Sequence, residues 1–306
     1  MKAFVGITDE DWFELLSSQP ELEEANFWQP SGSRLFKALK PGELFLFKLH
    51  SPNNFIVGGG VFAHSTLLPV HLAWEAFGIS NGATTLTEMR ARVEKYRRVS
   101  SQPMEDYQIG CILLEQPFFW SREHWIPVPD DWKQNIVQGR SYDLTVEPGR
   151  SLLANVQERL RGYSPLPMTT EPEIRYGDPV LIKPRLGQGS FRVLVTDAYS
   201  RRCAMTGERT LPVLQAAHIQ SYASGGAHRI DNGLLLRSDL HTLFDRGYLT
   251  VTPDYHIEVS RRIREEFKNG RDYYALRDKE IAVPARLEDR PNPDLLRWHN
   301  EHRYQI

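Results

Sequence analysis

Three residues in one short stretch of the chain have side chains suited to catalysis at neutral pH. His218, Asn232 and His241 are separated by 14 and 9 residues, and Asp245 follows the last histidine by four. A neutral histidine can remove a proton near pH 7. A histidine and an aspartate four residues apart lie on the same helix face, where they could share a metal ion. Scattered surface histidines and a structural metal site are the alternative interpretations.

The surrounding residues predict a strand, a loop, a second strand and a helix. The runs 213–219 and 233–236 are short and apolar, as is typical of buried strands. The run 238–247 has a helical pattern, with Ser238 expected as its N-cap and Gly247 as its end. A histidine that ends a strand and a histidine on a facing helix can both point into one groove.

This order of elements and residues resembles the ββα-metal motif of HNH endonucleases. The resemblance covers about residues 199–259, through "CAMTGE", "AAHI" and "NGLLLRSDLHTLFDRGYL". It implies that His218 is a general base, that Asn232 orients the loop and ring of that base, and that His241 binds a metal. Asp245 is a candidate second ligand of Mg²⁺, Mn²⁺ or another divalent ion. Phosphodiester hydrolysis needs an activated water and a cation on the phosphate oxygens.

The sequence departs from the family pattern just before the general base. Many HNH enzymes carry an acidic ligand there, whereas this chain has Ala217, so the ligand set is incomplete in sequence. Cys111 and Cys203 are the only cysteines, which excludes a four-cysteine zinc site, and we expect no structural zinc. His228 lies in a glycine-rich loop, where we expect it to be solvated.

The segment that precedes the nuclease motif could bind phosphate. "RLGQGSFR" offers backbone amides with Arg185, Gln188 and Arg192 as candidate phosphate-binding side chains. Residues 183–306 hold 20 lysines and arginines against 16 acidic residues, although the whole chain has a net charge of −2. A tight turn with solvated arginines is the alternative.

Strand signals dominate the first half of the chain. Residues 43–49, 55–63 and 109–120 are rich in β-branched and aromatic side chains. Amphipathic helices are expected after Thr8, as N-cap, and over 85–98. Short strands with helices packed outside predict a small, partly open β-barrel with flanking helices, so the overall fold class is α+β.

The first half also resembles the PUA-like EVE domain over about residues 4–144, through "NFWQPSG", "LKPGELFLFKL", "IVGGGVFA" and "WIPVPDDWKQNIVQGRSYDL". That family has a pocket for modified bases. A flipped base needs apolar faces to stack on and polar groups at its edge. Barrel core is the alternative role for most of these aromatic residues. The candidate pocket residues are Asn26, Trp28, Gln29, Ser31, Trp74, Phe119 and Trp120.

These patterns predict two domains, 1–161 and 183–306, with a proline-rich linker at 162–182. The longest apolar runs are too short to span a membrane, and acidic residues stand where a signal peptide needs its apolar core. We therefore expect a cytoplasmic protein without a membrane segment.

Fusions of EVE-like and HNH domains resemble modification-dependent restriction endonucleases. The resemblance implies double-stranded DNA with 5-methylcytosine or 5-hydroxymethylcytosine as the substrate. We expect a homodimer, because one HNH site attacks one strand and a duplex has two. Two alternatives stay open. One is a non-catalytic reader of modified nucleic acid, and the other is an HNH nuclease on unmodified DNA or RNA.

Overall fold

The computed structural model describes residues 1–97, 106–162 and 187–305. The chain divides into two compact units, Met1–Pro184 and Arg185–Ile306. The predicted linker falls outside the described residues except for Gly162 at its start, and Arg185 falls outside them as well.

The described part of the first unit is built on a seven-stranded sheet. The strands are β1 Lys2–Thr8, β2 Glu24–Gln29, β3 Leu44–Leu49, β4 Phe55–Pro69, β5 Gln108–Phe119, β6 Ile126–Pro127 and β7 Gly139–Asp143. Their order is β2-β5-β4-β3-β1-β7, with β6 paired to β4. Strands β1 and β3 run parallel, and the other paired strands run antiparallel. Alternate residues of β3 lie in two core clusters, Phe45 and Phe47 in one and Leu46 in the other, so both faces of the sheet are covered.

Two of the helices of this unit, the first and the third, lie close to the predicted positions, with one correction at an N-terminus, and the other two were not predicted. Thr8 is the last residue of β1, and Asp9 is the N-cap residue of the first helix without a side-chain cap bond. Thr85 does cap the third helix, because its side chain accepts from the amide of Glu88 at 3.1 Å. The helices are α1 Glu10–Ser17, α2 Val70–Phe77, α3 Leu86–Tyr96 and α4 Gly149–Gly162.

The second unit is organised around a short antiparallel pair, in which His218 lies opposite Gly233. A second antiparallel pair follows the helix that comes directly after the first pair. The elements are α5 Gln188–Ala198, β8 Leu214–His218, β9 Gly233–Arg237, α6 Ser238–Asp245, β10 Leu249–Val251, β11 Ile257–Val259, α7 Arg262–Phe267, α8 Arg271–Tyr274 and α9 Pro293–His302.

One apolar core joins these elements of the second unit. It includes Phe191 from α5, Leu235 from β9 and Phe244 from α6, each at most 1% exposed. The C-terminal helix α9 packs on the same core through Leu296 and through His299, whose ring stacks on Phe244. Helix α6 is thus packed both against the core and against α9. This packing fixes the direction of the side chains on the face of α6 that is not buried.

The α+β class predicted from the sequence is confirmed. Ser238 is the first residue of α6 rather than its cap, and Arg237 holds the cap position. Gly247 ends the helical stretch with a φ of +73°, a conformation that L side chains rarely adopt. Among the described residues, no helix is long and apolar enough to cross a membrane.

Candidate active site

The pair β8–β9 and the helix α6 bring the predicted catalytic residues into one region. His218 ends β8, Asn232 stands directly before β9, and α6 begins one residue after β9. Because β9 runs straight into α6, the helix lies against the strand that carries His218. The charges of His241 and Asp245 on α6 both act on the His218 ring, so the three side chains are electrostatic neighbours.

His218 is half-buried against an aromatic ring. Its imidazole stacks on Phe191 with ring centroids 3.9 Å apart and 12° between the planes. Burial lowers the pKa of His218 to about 4, with smaller contributions from His228 and His241 and an opposing one from Asp245. The imidazole is therefore neutral at pH 7 and has a lone pair with which to accept a proton.

Asn232 holds the loop that follows His218. It is 1% exposed, and its amide nitrogen donates to the carbonyl oxygens of Gln220 and Ala227, both at 2.9 Å. Its side-chain oxygen accepts from the amide of Gln220 at 2.9 Å, and its carbonyl accepts from Ile219. The side chain of Asn232 thus forms hydrogen bonds with both Gln220 and Ala227 and holds these two parts of the loop together. Contrary to the expectation, it does not hold the His218 ring, which contacts Phe191 and His228 instead.

His241 and Asp245 lie together on the exposed face of α6. The Nε2 atom of His241 is 3.2 Å from a carboxylate oxygen of Asp245. On the other side of the ring, Nδ1 lies 2.8 Å from the side-chain oxygen of Gln215 on β8. A carbonyl oxygen can only accept, so Nδ1 donates to Gln215, and Nε2 on the side of Asp245 is the nitrogen of this ring that could bind a cation. Gln215 was missed in the sequence, where a polar residue three before His218 gives no signal of this contact.

The donor set fits a divalent cation only in part. His241 offers nitrogen and Asp245 offers oxygen, but the described residues contain no group of three or more histidine, cysteine or acidic side chains that could hold a metal. Ala217, which stands where many HNH enzymes have an acid, is 0% exposed and belongs to the core. Water and phosphate oxygens would have to complete the coordination, as suits a hard divalent ion.

The environment of His228 differs from the one predicted from the sequence. It was expected to be solvated, yet it is half-buried with Nδ1 3.0 Å from Nε2 of His218. The ring of Tyr222 also stacks on the ring of His228, with centroids 5.2 Å apart.

The predicted phosphate-binding residues Gln188 and Arg192 lie one turn apart near the start of α5, the helix that carries Phe191. They thus share a helix with the residue that stacks on His218, whereas Arg185 lies outside the described residues.

The described structure does not bring the seven predicted pocket residues of the first unit together. Asn26 and Trp28 share one face of β2, and both bond to Asn81, through its side-chain oxygen and its carbonyl, at 2.9 Å. Trp28 lies in a strand rather than in the expected loop.

The other predicted pocket residues lie in different surroundings. Phe119 packs against an aromatic core cluster and Trp120 lies in another core cluster, 2% exposed. Ser31 is exposed, Gln29 is half-buried at the end of β2, and Trp74 is half-buried on α2.

A buried polar cluster near Asn26 was not found from the sequence. Glu115 on β5 lies opposite Glu24 on β2, and it is 0% exposed. Neither oxygen of Glu115, nor the side-chain oxygen of Asn26, makes a hydrogen bond with a described residue. Burial, with a further contribution from Glu24, raises the pKa of Glu115 to about 8. Glu115 is therefore largely protonated at pH 7.

A histidine that ends one strand, an asparagine before the next and a histidine on the following helix define the ββα-metal class of nuclease site. Residues 203–252 match the HNH endonuclease family. The chain thus contains an HNH endonuclease domain, and this match supports nuclease activity. Nucleases of this family generally use a divalent metal. No curated protein matches the chain.

Solved structures with weak similarity include an ASCH domain from Zymomonas mobilis, at 11% identity and a TM-score of 0.34, which covers 50% of this chain and 94% of that one. Its Y47F mutant gives the same values, with 98% of that chain covered. The modification-dependent TagI restriction endonuclease is 13% identical, with a TM-score of 0.28, over 86% of this chain and 62% of that one. The structural neighbours thus include a PUA-like domain and a restriction endonuclease.

Proposed function

We propose that the protein is a metal-dependent DNA endonuclease that acts on DNA with modified cytosine. In this proposal the second unit hydrolyses the phosphodiester bond and the first unit selects the modified base. The predicted domains, 1–161 and 183–306, divide the chain between these two tasks. The observation that carries the proposal is the neutral, half-buried His218 beside His241 and Asp245 on α6.

The residues of the site have separate tasks in hydrolysis. His218 takes a proton from water, because its low pKa keeps it neutral at the pH of the reaction. Asn232 fixes the loop that begins directly after His218, so the base is held at a constant position. Gln188 and Arg192 contact the phosphate backbone from the start of α5.

His241 and Asp245 would hold the divalent cation, Mg²⁺, Mn²⁺ or another divalent ion. When bound, the cation stabilises negative charge on the phosphate oxygens. Gln215 accepts from Nδ1 of His241 and so keeps Nε2 of that ring directed toward Asp245. This arrangement orients the ring of His241 before any cation arrives.

Two features of the first unit support recognition of a base. Trp28 is a half-buried aromatic residue beside Asn26, and one acceptor atom of Asn26 has no partner among the described residues. Aromatic stacking contributes about 1–3 kcal/mol to base binding. The sequence resemblance to a modified-base reader supplies the choice of cytosine, as 5-methylcytosine or 5-hydroxymethylcytosine.

The same account requires a homodimer. The HNH match contains one histidine–asparagine–histidine set, and a duplex presents two antiparallel strands. A two-fold dimer places two identical sites on those strands. Light scattering should give twice the chain mass of 35.3 kDa. A monomer that only nicks DNA at every enzyme concentration would contradict this part of the proposal.

The proposal is tested with one plasmid sequence carrying cytosine, 5-methylcytosine or 5-hydroxymethylcytosine, and with an RNA of the same sequence. Cleavage is measured with Mg²⁺, with Mn²⁺ and with a chelator. We expect cleavage of modified DNA only, and only with metal. Equal cleavage of all substrates would indicate a general nuclease, and binding without cleavage would indicate a non-catalytic reader.

The variant Trp28→Ala tests the first unit, with Trp28→Phe as its matched control. If Trp28 stacks on the base, the alanine variant loses preference for modified DNA and the phenylalanine variant keeps most of it. Unchanged preference in both variants would remove Trp28 from the pocket.

A further inference from the structure

The site contains a histidine pair that the nuclease motif does not account for. Nε2 of His218 and Nδ1 of His228 are 3.0 Å apart, and the two rings meet edge to face. No hydrogen bond from a described residue reaches Nδ1 of His218. His218 therefore has one ring nitrogen in contact with His228 and a second without a hydrogen-bond partner among the described residues.

Only one arrangement of protons leaves His218 able to act. A hydrogen bond has one donor and one acceptor, so one ring donates and the other accepts. If His228 donates, Nε2 of His218 uses its lone pair and Nδ1 carries the proton, so no nitrogen can accept from water. If His218 donates, Nδ1 keeps its lone pair and can accept a proton.

We propose that His228 is a positioning residue that holds His218 in the tautomer protonated at Nε2, with Nδ1 directed to the attacking water. This inference rests on the proposed nuclease function and deepens it.

In the reaction, the water O–H bond breaks, its proton goes to Nδ1 of His218, and the hydroxide attacks phosphorus. The P–O ester bond breaks, and the leaving oxygen takes a proton from solvent. His218 then releases the accepted proton to solvent. It keeps its bond to His228 throughout, and His228 neither gains nor loses a proton.

Contacts within the loop between β8 and β9 hold His228 at this position. Asn232 bonds to the carbonyl of Ala227, the residue directly before His228. Gly226 lies so close to the Gln220 carbonyl that a Cβ there would be 1.9 Å from its oxygen, so only glycine allows this approach. Tyr222 stacks on His228 with 10° between the ring planes, although Tyr222 itself is 68% exposed. An exposed tyrosine thus covers the outer face of the pair.

The variants His228→Asn and His228→Leu separate positioning from simple packing. The side-chain oxygen of asparagine can stand where Nδ1 of histidine stands and accept the same hydrogen bond, whereas leucine cannot. We expect kcat to fall about 10- to 100-fold in the leucine variant, with KM and DNA affinity unchanged. The asparagine variant should retain most of the activity. His256→Leu, at a partly exposed histidine elsewhere in the unit, is the matched control.

The tautomer itself is measured by ¹⁵N NMR of histidine-labelled full-length protein without metal. His218 should be protonated at Nε2 in the wild type and in His228→Asn, and should lose that preference in His228→Leu. If the leucine variant does not fold, His228→Gln takes its place, because its oxygen is displaced from the Nδ1 position.

The two possible failures are distinguishable. A wild-type His218 protonated at Nδ1, or a leucine variant with wild-type kcat, overturns the role of His228. If the wild type cleaves no nucleic acid, the proposed function fails, while the NMR result still decides whether His228 sets the tautomer.

Discussion

The imidazole of His218 works in an apolar environment that a free histidine does not have. Phe191 covers one face of the ring, and burial is the largest cause of its lowered pKa. A base with a low pKa is a weaker acceptor, but it is fully neutral across the physiological range. In the proposed mechanism, burial of His218 thus keeps this base neutral over the whole physiological pH range, at the cost of a lower proton affinity.

This environment predicts the acid limb of the pH profile. Because the folded pKa of His218 is about 4 rather than 6.5, the base is protonated only as the pH falls toward 4. We expect kcat/KM, measured at saturating metal, to show no loss with a pKa near 6.5. An acid limb centred near pH 6.5 would show that His218 either is not the base or is not buried in the active protein.

Residue types and spacing singled out His218, Asn232 and His241 through a family pattern, and Asp245 through its position one helical turn after His241. The partners Gln215 and His228 carry no such pattern. Each contacts its histidine only because β8, the loop and α6 fold together, so the contacts are tertiary. Local sequence signals therefore indicate the candidate site residues, but not the side chains that contact them.

At the level of elements, α6 is the helix of the second unit that carries both candidate metal ligands, His241 and Asp245. Its buried side holds Leu240 and Phe244 in the core, which leaves His241 and Asp245 one turn apart on the other side. His299 of α9 forms a hydrogen bond with the hydroxyl of Thr250 through Nδ1, and its Nε2 contacts the carbonyl oxygen of Phe244 on α6. These contacts hold α9 against α6. The direction of both candidate ligands thus depends on packing.

Asp245→Asn tests the role of this face. The amide keeps the size of the side chain but removes the charge, so we expect the metal concentration for half-maximal cleavage to rise by about tenfold or more. Glu301→Gln, on the exposed side of α9, is the control for loss of one negative charge. Equal metal dependence in both variants would exclude Asp245 as a ligand.

The sequence predicted the elements whose patterns are strong and local. These are the strands β3, β4 and β5, the helices α1 and α3, and the order β8, β9, α6 in the second unit. The pocket of the first unit could not be predicted in the same way. Aromatic residues such as Phe119 and Trp120 have the same composition signal in a pocket and in a core, and only the packing of the sheet distinguishes the two.

At the level of the whole molecule, the two units depend on pH in opposite directions. Glu115 has a folded pKa raised to about 8, so the first unit binds more protons when folded and loses stability as pH rises from 4.5 to 8. His218 and His299 have folded pKa values lowered to about 4, so the second unit loses stability as pH falls below 6.5.

Glu115→Gln tests this balance. One titrating group changes the free energy of unfolding by at most about 1.4 kcal/mol per pH unit, and the variant should lose that dependence. Six of the seven tryptophans lie in residues 1–184, so tryptophan fluorescence follows the unfolding of the first unit in the full chain. A wild type whose first unit is equally stable at pH 5 and pH 8 would contradict the buried acid.

The most direct test of the nuclease account is the variant His218→Ala. Wild type and variant are compared for metal-dependent cleavage of modified DNA and, in chelator, for affinity to the same DNA. Loss of a general base costs about 10²- to 10⁴-fold in rate. The account predicts that loss with nearly unchanged affinity, and cleavage by His218→Ala at the wild-type rate would contradict it.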